Sequence, residues 1–142
     1  MKLTTERIRE AFKEYNSQFF NGELTPDFEI GFMKTIRSLG RVTSSRSRHE
    51  NKVLKFTLSL EFEWNEDTFA KVVLHEMVHV WQMSTGRMKD TFKGGYKQFW
   101  KCKDGKFRNY TKAPYERKPW ETEAYRMEGH LTELFKNYEE KV

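Results

Sequence analysis

Residues 65–86 read NEDTFAKVVLHEMVHVWQMSTG, and this stretch decides the fold. Asn65 is a favourable N-cap, and the two acidic residues after it suit the positive end of a helix. Apolar side chains then recur at the three- and four-residue spacing of a buried helix face, at Phe69, Val72, Val73, Met77 and Val80. We therefore predict a long helix that runs to about Thr85 and is closed by Gly86.

The chain upstream of this helix predicts one further helix and a small sheet. A helical pattern of apolar residues begins after Thr5 and ends at Asn21-Gly22, where glycine suits a left-handed cap. Apolar residues alternate with other residues over 28–32 and 54–60, which is typical of strands. Residues 39–45 are a third candidate strand.

The chain downstream predicts a loop and a last helix. Residues 87–118 have no clean period, although one or two helical turns are expected around Tyr96, Phe99 and Trp100. Pro119 suits the first turn of a final helix. The predicted order of helix, small sheet, helix, loop and helix is that of an α+β domain.

Length and composition bound the class of protein. The 142 residues suit one domain, which we expect to span residues 1–142. No apolar run approaches the roughly 20 residues that cross a bilayer, and no secretory signal is visible. Cys102 is the only cysteine, which excludes an internal disulfide and a multi-cysteine zinc site. We expect a soluble, cytoplasmic protein.

Charge is unevenly distributed along the chain, whose formal net charge is +5. Residues 34–55 carry a net charge of +6 and residues 84–118 carry +8, whereas the remaining blocks are acidic. Such segregation suits a polyanionic partner such as nucleic acid. Two solvated basic loops are the alternative interpretation.

The central helix contains the motif His75-Glu76-Met77-Val78-His79. Histidines four residues apart lie one above the other on a helix, so both imidazoles can reach one zinc ion. Glu76 lies at the edge of that face, where a carboxylate can take a proton from the activated water without binding the metal. The motif predicts a catalytic site with one zinc ion per chain. The alternatives are a surface helix with two incidental histidines, or core histidines that hydrogen-bond to the backbone.

A catalytic zinc site needs a third protein ligand. Glu121 is favoured because it follows Pro119 at the start of the last helix and has the small Ala124 three residues on. His130 and Glu123 remain alternatives, although Glu123 points to another side of the helix. An oxyanion donor is also needed, and the candidates are Tyr125, Tyr115, Arg117 and His130.

These motifs resemble those of the SprT-like zinc metallopeptidases. The resemblance covers roughly residues 10–83 and rests on FFNGEL at 19–24, LGR at 39–41, the segment 54–60 and VLHEMVH at 73–79. It implies a zincin-like metallopeptidase domain with an N-terminal helix, a small sheet and an active-site helix. In that domain His75 and His79 bind zinc and Glu76 is the catalytic residue.

The third ligand departs from the pattern of that family. The resemblance would supply a histidine in an H-G-x-x-F/W segment after the metal helix, whereas residues 93–100 read KGGYKQFW. Residues 119–124, PWETEA, instead resemble the E-x-x-A ligand helix of gluzincin peptidases. We therefore expect a His/His/Glu site that uses Glu121.

Together these features predict a zinc-dependent endopeptidase that acts on a protein or peptide substrate. An extended substrate is expected to pair beside the strand at 54–60. The alternative is a nucleic-acid-associated protein with a structural or vestigial zinc site, supported by the basic segments 34–55 and 84–118.

Overall fold

A computed structural model describes residues 1–24, 28–33, 39–45, 53–59, 63–91 and 94–140. Over this part of the chain, three helices and two small sheets make a mixed arrangement consistent with the predicted α+β class. The helices are α1 (Thr5–Phe19), α2 (Glu66–Ser84) and α3 (Pro119–Glu140). The strands are β1 (Phe28–Met33), β2 (Gly40–Ser45), β3 (Val53–Ser59), β4 (Met88–Thr91), β5 (Lys97–Lys101) and β6 (Phe107–Asn109). A short 3-10 helix, Tyr115–Arg117, precedes α3.

The central helix α2 begins and ends where its sequence predicts. The side chain of Asn65 accepts a hydrogen bond from the backbone N–H of Thr68 at 2.9 Å, which satisfies one of the unpaired donors of the first turn. At the other end Gly86 has a φ of 74°, a conformation that glycine adopts without strain. The helix between these ends is buried on most of its surface, so it forms the centre of the fold.

The first sheet has the strand order β1-β3-β2, in which β1 is parallel and β2 antiparallel to β3. The three predicted strands are confirmed as segments, but their order gives β3 a partner on each side. The expectation that a substrate pairs beside residues 54–60 is therefore wrong. Among the described strands, β2 is the edge strand that packs against α2.

The hydrophobic core lies between α2, α1, the first sheet and α3. The predicted apolar residues of α1 face this core, and Ile8 is fully buried there. From α3, Ala124 and Leu131 enter the same cluster. The side chains that α2 contributes are Phe69, Ala70, Val73, Leu74, Met77, Val78 and Val80.

The second sheet corrects the expectation for residues 87–118. Strands β4, β5 and β6 form an antiparallel sheet in sequence order, and the predicted helical turns around Tyr96, Phe99 and Trp100 are wrong. Phe99 and Trp100 lie in β5, where alternation directs neighbouring residues to opposite faces. Gly105 has a φ of 80° in the turn between β5 and β6, and Asp104-Gly105 is a hairpin signal that periodicity does not detect.

Within the described ranges, no helix combines the length and the apolar character that crossing a membrane requires.

The core position of Leu74 is tested by truncation. Leu74 is 0% exposed, so Leu74→Ala should lower the free energy of unfolding by about 2–5 kcal/mol, since the surroundings fill the resulting cavity only in part. Lys71→Ala on the exposed surface of the same helix should change it by no more than about 0.5 kcal/mol. Urea unfolding of both variants measures the difference, and equal unfolding midpoints would contradict the packing described here.

Candidate metal centre

Three side chains from α2 and α3 converge at one buried point. His75, His79 and Glu121 offer ligand atoms that all lie within 4.8 Å of one another. The Nε2 atoms of the two histidines are 3.2 Å apart, and Glu121 Oε1 lies 3.5 Å from His75 Nε2 and in contact with His79 Nε2. We call these three residues the metal cluster, because their atoms can hold one metal ion.

The packing of α3 against α2 brings Glu121 to the histidines. Ala124, one turn after Glu121, is fully buried in the same hydrophobic cluster as Val73 and Met77 of α2. Because its side chain is small, α3 can approach α2 closely at this point. Trp120 is buried beside Glu121 and fixes the start of the helix. The contact between α2 and α3 that Pro119 and the E-x-x-A spacing predict is therefore present in the structure.

Each histidine is oriented by a hydrogen bond at its other ring nitrogen. His75 Nδ1 lies 2.9 Å from Glu128 Oε2, and His79 Nδ1 lies 2.8 Å from Gln82 Oε1. A carboxylate oxygen and an amide oxygen only accept hydrogen bonds, so each Nδ1 carries the hydrogen and donates it. The Nε2 atoms are therefore the ones that face the cluster, as metal-binding histidines require.

A chain of polar contacts continues from His79 towards the second sheet. Gln82 Nε2 donates to Glu123 Oε1 at 3.1 Å, and Glu123 accepts two hydrogen bonds from Arg87, at 2.7 and 2.8 Å. The guanidinium of Arg87 lies 4.2 Å from the ring centroid of Trp81, a cation–π arrangement. Glu123 thus pairs with Arg87 rather than with the cluster, as its place on the helix predicts.

Glu76 lies beside the metal cluster in a buried position. It is 4% exposed, and its Oε2 atom has no hydrogen-bond partner among the described residues. Burial raises the pKa of Glu76, although the neighbouring histidines act in the opposite direction. A Cβ atom placed on Gly40 would lie 3.2 Å from Glu76 Cγ and 2.9 Å from Leu58 Cδ2, so glycine is what allows β2 to lie this close.

The charges at the cluster favour a cation. Burial lowers the pKa of His75, but its hydrogen bonds to Glu121 and Glu128 outweigh burial and raise the pKa to about 10. Burial raises the pKa of Glu121, but the hydrogen bonds from His75 and His79 hold it well below its usual range. The carboxylates therefore stabilise positive charge at the imidazoles. They would stabilise in the same way a metal ion that displaces the protons.

The metal cluster separates two cavities. The small cavity, about 230 Å³, is lined by His79 and Glu121, and the large cavity, about 720 Å³, by His75. Glu76, Tyr115 and Gly40 line both cavities, which are therefore adjacent at these residues. A group that reaches the carboxylate of Glu76 has space on either side of the cluster.

Two of the predicted oxyanion candidates lie at the cluster. The hydroxyls of Tyr115 and Tyr125 are 3.2 Å apart, and the ring of Tyr125 packs against His75 with centroids 4.6 Å apart. Burial, together with Glu121 and Tyr125, raises the pKa of Tyr115, which therefore keeps its proton as a donor.

The other two candidates are not brought to the cluster. Arg117 and His130 are exposed, and neither lines the small or the large cavity. His130 follows Glu121 by nine residues, which places it on the opposite side of α3 at about 100° per residue. This rotation explains why the structure brings Glu121, and not His130, to the histidines.

The residues that orient the two histidines, Glu128 and Gln82, are not among the site residues predicted from the sequence. Gln82 follows His79 by three residues, and Glu128 follows Glu121 by seven, so both spacings place the pairs on shared helix faces. These two spacings are the sequence signal from which the orienting residues could have been identified. The link from Gln82 through Glu123 to Arg87 joins distant segments and has no comparable signal.

The third ligand is tested by removing each candidate. Glu121→Ala should lower zinc affinity by about 10- to 100-fold or more, because a direct ligand should matter at least as much as the groups that orient one. His130→Ala should bind zinc like the parent, since His130 is exposed on the far side of α3. Competition with a chromophoric chelator measures both affinities. The reverse pattern would show that a third histidine, rather than Glu121, completes the site.

One comparison with known proteins, that with family models, finds a match that includes the motif of the central helix. The sequence model of the SprT-like family matches residues 8–104, well over half of the chain. No curated protein and no solved structure shows a significant match. The matched region contains His75, Glu76 and His79 and ends before Glu121. The chain belongs to the SprT-like family.

Proposed function

We propose that the protein is a zinc-dependent endopeptidase. The observation that carries this proposal is the convergence of two imidazole Nε2 atoms and one carboxylate oxygen at one buried point, with both Nδ1 atoms engaged elsewhere. Two imidazoles and a carboxylate are a donor set of catalytic zinc sites, which keep a further position open. The SprT-like family match supports the same interpretation.

The chemistry requires a proton acceptor beside the metal. When bound, zinc supplies Lewis acidity and lowers the pKa of water towards about 7. Glu76 takes one proton from the attacking water, whose oxygen forms a bond to the carbonyl carbon of the substrate. Because burial raises the pKa of Glu76, it can hold this proton and then deliver it to the leaving amine nitrogen as the C–N bond breaks.

Negative charge develops on the carbonyl oxygen of the substrate when the water attacks the carbonyl carbon. The Tyr115 hydroxyl is suited to donate a hydrogen bond to it, because Tyr115 lines both cavities next to Glu76. Tyr125 orients that hydroxyl from the large cavity through the contact between the two hydroxyls.

The substrate class follows from the sheet edge. Gly40, Arg41 and Val42 of β2 line the small cavity, so the edge strand runs beside the metal cluster. We propose that an extended polypeptide pairs with β2 and passes the cluster in the cleft that the two cavities form.

The role of Glu76 is tested by an amide replacement. Glu76→Gln should lower peptidase activity by at least about 100-fold, since the amide cannot accept the proton. Zinc content and the circular dichroism spectrum should stay unchanged. Glu116→Gln, an exposed residue outside both cavities, is the matched control and should keep full activity. If Glu76→Gln cleaves peptides as well as the parent does, the proposed mechanism is excluded.

A second candidate function is the binding of single-stranded nucleic acid by the second sheet. The register places Lys89 of β4 opposite Phe99 of β5, and alternation puts Lys97 and Lys101 on the same face. On β6, Phe107 is 37% exposed, and Lys89 Nζ lies 4.0 Å from its ring centroid. Lysines interleaved with exposed aromatic rings suit phosphates and stacked bases. This face belongs to the basic segment 84–118, whereas most of the segment 34–55 lies outside the described residues or their described side chains.

Salt dependence tests this second candidate. Replacing both Lys97 and Lys101 with Glu should weaken the binding of a single-stranded oligonucleotide. It should also make the negative slope of log K against log salt shallower by about 2. The double replacement of Lys2 and Lys13 with Glu makes the same change of net charge at exposed positions away from this sheet, and it should leave the slope unchanged. Equal slopes for the two double variants would exclude this face as the binding site.

A further inference from the structure

The cleft divides at the metal cluster into two spaces of different size. The large and the small cavity share Glu76 and Tyr115 as lining residues, with His75 on the side of the large cavity and His79 on the side of the small one. Successive side chains of an extended peptide point to opposite faces. A peptide bond that lies at Glu76 therefore sends the side chain before it and the side chain after it into different cavities.

Two basic side chains contribute to the wall of the small cavity. Arg41 from the edge strand and Lys118, just before α3, line it together with Glu76 and Glu121. The two carboxylates belong to the proposed metal site, whose divalent ion would compensate their charges. Among the described lining residues, Arg41 and Lys118 are then the charges that an incoming group meets.

The surroundings of Lys118 hold its ammonium group in this cavity. Lys118 Nζ donates a hydrogen bond to Gln98 Oε1 and lies 5.6 Å from the ring centroid of Trp120. Asp90, the nearby buried acid, accepts a hydrogen bond from the Tyr96 hydroxyl at 3.0 Å and does not line the cavity. Lys118 Nζ has hydrogen atoms beyond the one donated to Gln98, and among the described lining residues the only carboxylates are the two of the metal site.

The large cavity has a different chemistry. Its volume of about 720 Å³ lies in the range of ordinary ligand pockets. Leu39, Val72 and the ring of Tyr125 give it apolar wall, and Lys71 and Glu128 add one charge of each sign. Apolar and aromatic walls of this kind favour a bulky apolar side chain, because its burial removes apolar surface from water.

We infer that the small cavity binds an acidic side chain of the substrate and the large cavity a bulky apolar one, so that cleavage falls between two such adjacent residues. This inference rests on the proposed peptidase function, since it describes the two sides of the same cleft. The carboxylate would pair with Lys118 and Arg41, as charge-assisted hydrogen bonds to a partly buried cation contribute strongly to affinity.

Binding to a catalytically silenced protein tests this inference without any need for turnover. The probe is a set of fluorescent peptides, blocked at both termini, that contain Leu-Asp, Asp-Leu, Leu-Asn or Asn-Leu in one common sequence. The zinc-loaded Glu76→Gln protein is titrated by fluorescence anisotropy. In at least one order, the Asp peptide should bind about tenfold more tightly than its Asn counterpart.

Matched lysine variants identify the side chain that causes the preference for Asp peptides. Lys118→Gln in the Glu76→Gln background should remove most of the roughly tenfold preference for Asp, because its charged partner is lost. Lys103→Gln, at an exposed position in the turn between β5 and β6, should retain it. If Lys118→Gln fails to fold by circular dichroism, Arg41→Gln takes its place with the same expectation. Equal affinities for Asp and Asn peptides, or a preference that survives both cavity substitutions, would overturn the inference.

Cleavage by the zinc-loaded parent protein separates this inference from the proposed function. Cleavage of the peptides without any difference between Asp and Asn supports the peptidase and contradicts the acidic subsite. A preference for Asp in binding, with no cleavage of any peptide by the parent, supports the subsite and contradicts the peptidase.

Discussion

The contact of Glu121 with His75 and His79 joins the two longest helices at the point where the chain has its candidate metal centre. All three groups are buried, so each polar atom must find a partner inside the protein. The carboxylate and the imidazoles satisfy one another, while Glu128 and Gln82 take the remaining ring nitrogens. The position of α3 against α2, and with it the wall between the two cavities, depends on this arrangement.

The polar residues around the centre have distinct physical tasks. Glu128 and Gln82 orient the histidines, and the pairing of Glu123 with Arg87 holds Gln82 against α3 from the side of the second sheet. Glu76 differs from them because its Oε2 atom has no partner among the described residues, which is costly for a buried carboxylate. A cost of this kind is expected where a group is kept available for proton transfer.

The parts of the fold that depend on local pattern were predictable from the sequence. Helix α2 follows from its apolar spacing and from Asn65, and the approach of Glu121 follows from Pro119 and the small Ala124. The order of the first sheet was not predictable, because alternation identifies a strand without identifying its neighbours. The prediction of a central helix with two histidines is therefore confirmed, whereas β3, expected to offer a sheet edge, lies between β1 and β2.

The second sheet was missed for a related reason. One face of β5 carries Lys97, Phe99 and Lys101, and the other carries Gln98 and Trp100. Neither face is continuously apolar, so the sequence shows no clear period of two. The contact of Arg87 with Glu123 connects segments far apart in the chain, and such a contact leaves no spacing signal. The features that the sequence does not predict are thus the long-range ones, such as the meeting of β2, β5 and the start of α3 around the small cavity.

X-ray absorption spectroscopy of the zinc-loaded protein at the zinc edge tests the central claim most directly. A site made of His75, His79 and Glu121 predicts two imidazole ligands, with all nitrogen and oxygen donors at about 2.0–2.2 Å. A sulfur scatterer at about 2.3 Å, or a third imidazole, would contradict this site.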